Sequence, residues 1–529
     1  MNAIAAILLS SFTLFGAAGA GVDGKWAADT AAGPSGVVLE LKSDGGRVTG
    51  WLSQPNGKLE ITNGSIEGTA VSFEMAVSIQ GQSLKLVCSG ELAGDEMHLT
   101  LRAPGRPGGE EFTLRRVNPD APLDRYAEPP APQEVAAWLK SNAIPLAAGM
   151  TALKARLQDA RIVAMGEATH GTREFQQLKV QMFRFLVEEL GFTVFGIEAN
   201  WPESLLVNRY VLGGNVDPNE GLGFDWWRTE DMSALLHWMR DYNQDPAHTR
   251  KLKFYGFDMQ GPGLAASNVL GYLRGVDPEA VDDAAKVFAI LGPWAENKEY
   301  EAASNESKHR TADSLAVLLR RFDERKEQYV RRSSMQDWTV ARQNMVIAKQ
   351  AEVKLGSQDE RGRIFRDRSM AENVKWILDQ EPPGTKMMLW AHNGHVAAAA
   401  PLDAPDHLPM GGHLRKMFGD RLVSCGFIFD QGSFRAVDMT TRLVRSFAVG
   451  PPPPGILDAT LAALKMPLFA IDLRRLPQGK VADWFAQPHY SRQIGGGYAE
   501  STPGVWMHRL HAAREFDLLL FVDKTTPTR

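Results

Sequence analysis

Four short segments of this chain set acid/base side chains directly after an apolar run. MGEATHG holds Glu167 and His170, GIEANW holds Glu198 and Trp201, YGFDMQG holds Asp258, and LWAHNGH holds His392 and His395. Histidine is the side chain best suited to take a proton from water near neutral pH. A carboxylate on its other ring nitrogen fixes the tautomer and stabilises the imidazolium. Together these residues form a constellation able to activate water without a protein nucleophile. The common nucleophile motifs are missing: there is no Gly-rich phosphate loop, and Ser65, Ser78 and Ser89 all lack the Gly-x-Ser-x-Gly context. Neither cysteine sits next to a histidine.

Two other chemistries compete for the same side chains. Glu167-x-x-His170 with His392-x-x-His395 can ligate a divalent metal, Glu198 or Asp258 completing the shell, which gives either a metal-dependent hydrolase or a non-catalytic haem- or metal-binding protein. Loop spacing does not hold the two histidines on one face as helical spacing would. The structural alternative has His392 bonded to a loop carbonyl and Glu167 capping the next helix.

The elements that position these residues follow from hydrophobic periodicity. Residues 162–165 form a short apolar run, expected as a buried strand. Phe175, Leu178, Met182, Phe185, Leu186 and Leu190 recur at helical spacing, and Gly191 stops that helix. Residues 192–197 are the next strand, so His170 and Glu198 are expected at the carboxyl ends of neighbouring strands, the edge where open α/β sheets bind ligands. Further apolar runs at 252–257, 386–390, 422–429, 468–471 and 518–522 bring the strand candidates to seven, in the rhythm of a mostly parallel α/β sheet flanked by helices. Residues 279–380 lack strand-like runs and read as a helical subdomain, with long helices near 314–332 and 337–355.

The N-terminal part differs in texture. Residues 1–20 combine an apolar run too short to span a bilayer with an Ala18-x-Ala20 pattern, the marks of a cleaved signal peptide and of an exported, periplasmic or secreted protein. Residues 21–117 hold seven short alternating runs separated by turn pairs such as Asp44-Gly45, Asn56-Gly57, Asn63-Gly64 and Gly94-Asp95, expected as an antiparallel all-β barrel or sandwich of seven or eight strands with an accessory role. Residues 118–134 form a Pro-rich linker, and 135–529 the large domain. A net charge of −5 over 529 residues gives no hint of nucleic acid, and no stretch is apolar enough for a membrane span. Cys88 and Cys425 are far apart and read as two separate buried thiols.

GEATHGTREF, GIEANW, YGFDMQG, WAHNGHV, RDRSMAENV from Arg366 and the closing FDLLLFVDKTTPTR resemble the erythromycin esterase family, over the large domain but not the β module. The resemblance implies a metal-independent, cofactor-free hydrolase that opens a macrolide lactone by adding water, an antibiotic-resistance activity, or that acts on another small ester. His170 matches the family's general base, and Glu167, Glu198, His392 and His395 its other functional positions. Lys179 stands where members often carry Arg; it keeps the charge but loses the bidentate fork. In the expected mechanism Glu167 or Glu198 orients the ring or the water, and His392, His395 or Lys179 offsets charge on the tetrahedral intermediate. Lys179, Asp258 and Trp201 are the expected substrate-binding side chains, with Trp226 and Trp227 as either wall or core.

Overall fold

The computed structural model describes residues 21–529 except 31–32, 55–56, 80–81, 103–108, 118–122, 293–296, 358–359 and 402–403. The expected signal peptide, Asn56, Pro119 and Pro122 therefore lie outside the described residues. The chain divides into two compact units, 1–125 and 126–529.

The first unit is a closed antiparallel barrel of eight strands: β1 (Gly24–Thr30), β2 (Gly33–Asp44), β3 (Arg47–Gln54), β4 (Gly57–Glu67), β5 (Ala70–Ile79), β6 (Gln82–Ala93), β7 (Glu96–Arg102) and β8 (Glu110–Arg116). Pairing of Trp26 with Arg116 closes it, which decides barrel over sandwich. Alternation sends Trp26, Leu39, Leu41, Ile61, Phe73, Met97 and Leu114 inward as its core. Asn63-Gly64 is not a turn: it lies inside β4, where the register shifts and Asn63 takes φ +49°, the geometry of a bulge. The reversal falls at Gly68, φ +63°.

The second unit is built on a ten-stranded sheet. Its strands are β9 (Ile144–Pro145), β10 (Ile162–Met165), β11 (Val194–Asn200), β12 (Lys253–Asp258), β13 (Met387–Trp390), β14 (Leu422–Asp438), β15 (Val444–Val449), β16 (Leu468–Asp472), β18 (Gly497–Tyr498) and β20 (Leu518–Thr525); β17 (His489–Arg492) and β19 (Met507–Leu510) pair separately. The main order is β12-β11-β13-β10-β14-β20-β16-β9. All seven apolar runs are strands. The sheet is parallel from β12 to β20, but β16 runs against both of its neighbours, β20 and β9, which makes it mixed.

β10 and β13 are buried at every residue, which accounts for their continuous apolar sequences. The helix Arg173–Leu190 buries Phe175, Leu178, Met182, Phe185 and Leu186 and ends at Gly191, φ +70°. It links β10 to β11, yet these strands are not neighbours. β13 lies between them, so His170 and Glu198 stand two strands apart with the His392 loop in the gap.

From 279 to 380 the described residues contain helices and no strand. The expected helix near 314–332 is two, Asn305–Glu324 and Lys326–Arg332, divided at Arg325, whose φ of −100° and ψ of 16° depart from the helical values. Met335–Gly356 and Glu360–Gln380 follow, the last packing Trp376 edge-on against Trp201 at 5.3 Å. Cys88 and Cys425 are free and buried; burial pushes the Cys88 thiol up to about 11.

Candidate active site

Met165, Trp390 and Ile197 are register partners across β10, β13 and β11, so the residues after them leave the sheet at one level. Glu167 and His170 follow β10, Glu198 lies near the C-terminal end of β11, and His392 follows β13. Parallel strands put all of these at a single carboxyl edge.

Glu167 is completely buried, and both of its oxygens are committed. Oε1 lies 2.5 Å from His170 Nδ1. Oε2 accepts from Lys179 Nζ and, at 2.7 Å, from Trp390 Nε1. A carboxylate on Nδ1 holds the proton there and leaves Nε2 with its lone pair. Nε2 has no hydrogen-bond partner among the described residues. The ring stacks on Trp226, centroids 5.6 Å apart and planes at 17°, and meets Trp227 edge-on at 5.8 Å. Gly496 lies against its Cδ2–Nε2 edge: a Cβ there would lie 3.0 Å from His170 Cδ2, 3.7 Å from its Nε2 and 3.7 Å from Trp226, so only glycine fits without displacement.

His392 is the N-cap of the helix Asn393–Val396, and its Nδ1 accepts from the Gly394 amide at 3.1 Å. Its proton is therefore on Nε2, an atom that is buried and has no partner. Burial, reinforced by repulsion from His170 and His395, holds the imidazole well below its usual range, so it stays neutral. The His392 and His170 rings are 5.6 Å apart.

A second charged group adjoins the first. The His392 amide donates to Glu198 Oε2 at 3.0 Å, and Arg366 Nη2 donates to Glu198 Oε1 at 2.7 Å. Arg366 also grips Asp258, at 2.6 Å from Oδ2, and approaches His395 Nε2 at 3.0 Å. His395 Nδ1 is 2.7 Å from Asp367. Burial opposes ionisation of Glu198, but His395, Arg366 and His170 outweigh it and hold the carboxyl well below the usual carboxylate range. Burial likewise lowers His395, but Asp367 and Glu198 overcome it and raise the ring above its ordinary value.

The other expected site residues fall elsewhere. Lys179 has none of its side chain exposed; it pairs with Glu167 and lies 4.3 Å over the Trp390 ring, so it meets a substrate only through Glu167. Asp258 is buried, its oxygens bonded to Arg366, the Met259 amide and Gln260. Trp201 is core, 1% exposed; the aromatic ring stacked against His170 is instead Trp226, half-buried and itself stacked on Phe224 at 4.9 Å. Trp227 is core that touches His170 by its edge. Glu167 bonds His170 rather than capping the following helix, whose N-cap Thr172 turns its hydroxyl to Thr169 and makes no side-chain capping bond.

Arg366 and Asp367 were not among the sequence candidates. A signal existed: Asp367 falls on the apolar stripe of its helix with Met370 and Val374, where a charge needs a partner. The triplet Gly495-Gly496-Gly497 was a second signal, of close backbone approach. The metal-ligand reading fares differently. Among the described residues no group of three or more His, Cys, Asp and Glu is arranged to hold a metal ion. The position between Glu198, Asp258 and His395 that a cation would take is filled by the Arg366 guanidinium.

Fold and site together define an α/β enzyme with paired histidines and carboxylates at the carboxyl edge of a parallel sheet. The family model described as erythromycin esterase matches residues 187–525, well over half the chain, and the chain belongs to the erythromycin esterase family. It is a hydrolase of that family. The match takes in Glu198, Asp258, Arg366, His392 and His395 and begins downstream of Glu167, His170 and Lys179. The chain is 24% identical to erythromycin esterase type II of Escherichia coli over 354 residues, covering 62% of this chain and 84% of that protein. It is 23% identical over 429 residues to YbfO of Bacillus subtilis (strain 168), whose name places it with the hydrolases, covering 74% and 91%. A crystal structure of a Bacillus cereus protein aligns with a TM-score of 0.66 at 26% identity, over 75% of this chain and 98% of that one.

Proposed function

We propose that the chain hydrolyses a carboxylic ester or macrolide lactone by general-base catalysis at His170. The observation that carries this reading is the 2.5 Å contact of Glu167 with His170 Nδ1, with Nε2 left free beside the unpartnered Nε2–H of His392. In this mechanism Nε2 of His170 takes a proton from water as that water attacks the ester carbonyl. Glu167 stabilises the imidazolium, and Lys179 and Trp390 hold Glu167 in place. The carbonyl oxygen gains negative charge, and His392 Nε2–H is a neutral donor already free of other bonds, so it needs no rearrangement to accept that charge. The imidazolium then passes its proton to the leaving alkoxide, and acid and alcohol separate. No metal enters any step, because Arg366 supplies the positive charge among Glu198, Asp258 and His395.

The Trp226–Phe224 pair supports a substrate with an apolar face, since a flat stacked aromatic surface adjoins the base. A panel of macrolides and simple aryl esters, incubated with and without chelator and followed by mass spectrometry, tests the proposal. Gain of one water by a panel member, unaffected by chelator and lost in His170→Ala, is the expected result. Turnover abolished by chelator would transfer the activity to a metal-dependent mechanism.

A further inference from the structure

The eight-stranded barrel lies outside the family match, and none of the residues assigned to hydrolysis belongs to it. Its inward side chains form an apolar core. Its outward face carries one side chain that the core does not need. Trp51 in β3 is 44% exposed and is the only exposed aromatic side chain among the described residues. Leu39, Leu41, Val48 and Ile61 on the inner face are buried, so alternation turns Trp51 outward. Its register partners are Glu40 in β2 and Glu60 in β4. Lys42, Arg47 and Lys58 stand on the same outer face. None of these five charged side chains makes a hydrogen bond or ion pair with a described residue. With Thr49 and Thr62 they line a groove of about 580 Å³, inside the range of about 300–1,000 Å³ common to ligand sites.

The backbone bends at this groove. Val48 pairs with Gly64 but Gly50 with Ile61, which leaves β4 one residue too long, and Asn63 takes φ +49° there. A bulge bends its strand and re-aims side chains, and bulges gather at barrel rims and beside functional sites. At Gly50 the strands β3 and β2 approach so closely that a Cβ would lie 1.9 Å from the Glu40 carbonyl oxygen. The lining also narrows the ligand. Three bases and two acids nearly cancel, which leaves little attraction for a polyanion, and one indole is too little apolar area for the centre of a protein interface. A flat apolar face ringed by free donors and acceptors matches a sugar ring. A pyranose has a face of C–H groups that packs on an indole. Its edge hydroxyls donate to carboxylates and accept from ammonium or guanidinium groups. We propose that the outer face of β2, β3 and β4 binds a neutral polysaccharide, with Trp51 as the stacking platform and Glu40, Glu60, Lys42 and Lys58 as hydroxyl partners. The site is independent of the ester-hydrolase reading.

Affinity electrophoresis of the full chain tests it, in gels containing laminarin, hydroxyethylcellulose, mannan or dextran as neutral glycans and alginate as an acidic one. Wild type should be retarded by at least one neutral glycan, and the retardation should persist in high salt, which screens exposed charges. Trp51→Ala should weaken that binding at least about tenfold, the loss of one stacked ring, with melting temperature and ester turnover unchanged. No retardation of wild type by any of the four neutral glycans overturns the proposal, and so does equal binding by a folded Trp51→Ala protein. Retardation by alginate alone, abolished by salt, overturns it in favour of a charged surface.

Discussion

Glu167 Oε1 lies 2.5 Å from His170 Nδ1, and the same glutamate's second oxygen is tied to Lys179 and Trp390. The imidazole is thus aligned from beneath by a carboxylate that cannot rotate away. His170→Ala should lower kcat/KM by at least about 100-fold, the lower bound for losing a general base, with little change in thermal midpoint. Glu167→Gln should lose a comparable factor, because a side-chain amide can present its NH2 to Nδ1 and draw the ring proton onto Nε2. Steady-state kinetics and melting curves measured together decide it, and near-normal turnover in a well-folded His170→Ala protein would refute the base.

Lys179 is enclosed by Glu167, Trp390 and Phe427. Burial pulls it down to about 8 against the attraction of Glu167 and Glu198. Removing it strands the glutamate's charge in the core, and Lys179→Met should cost about 3 kcal/mol, as expected for breaking a buried pair. The double variant Lys179→Met, Glu167→Gln should be more stable than Lys179→Met, since the orphaned charge is gone. Urea midpoints for the four proteins give the coupling; strict additivity would show that the pair is not energetically linked.

Gly496 lies against the imidazole of His170 and within reach of Trp226. Gly496→Ala should therefore displace the ring by a fraction of an ångström and lower kcat by about tenfold, since small errors in aligning a reacting group are costly, while leaving the fold intact. A larger residue should lose more. If Gly496→Ala and Gly496→Val match wild type, the loop is not the wall of the site.

The strands and the helix Arg173–Leu190 were legible because burial on both faces writes a continuous apolar run and an amphipathic helix writes its period locally. Strand order was not. Nothing near residues 162–200 records that β13, nearly two hundred residues later, inserts between β10 and β11, or that β16 runs against β20. That insertion is why Glu167, in place of Glu198, is the partner of His170, and why His392 comes between them. The direction of Lys179 was equally hidden, because a lysine at helical spacing beside apolar residues usually reaches outward to solvent. Here a buried carboxylate and two aromatic rings hold it in. Arg366 lay in a helix distant in sequence from the strand ends it serves. The Asn63-Gly64 pair shows the limit of turn chemistry: its positive φ is real, but it is used for a bulge.

Glu203, in the first turn of the helix Trp201–Val211, has a buried Oε2 with no partner. Burial pushes its carboxyl up to about 7, although its own amide and Asn200 favour the charged form. The folded chain therefore holds this proton where the unfolded chain, with an ordinary glutamate near pH 4.3, has released it. Its contribution to stability is fully present below about pH 4 and is lost as pH rises through about 7, because folding must then either keep a proton that solution removes or bury a charge. Glu203→Gln supplies a neutral side chain of the same shape at every pH. The variant should match wild type near pH 4 and be more stable at pH 8 by up to about 3 kcal/mol, the linkage value of that shift. Urea denaturation at both pH values checks it: a difference that is the same at pH 4 and pH 8 would mean that the carboxyl is ionised in the folded protein and that solvent or a cation reaches Oε2.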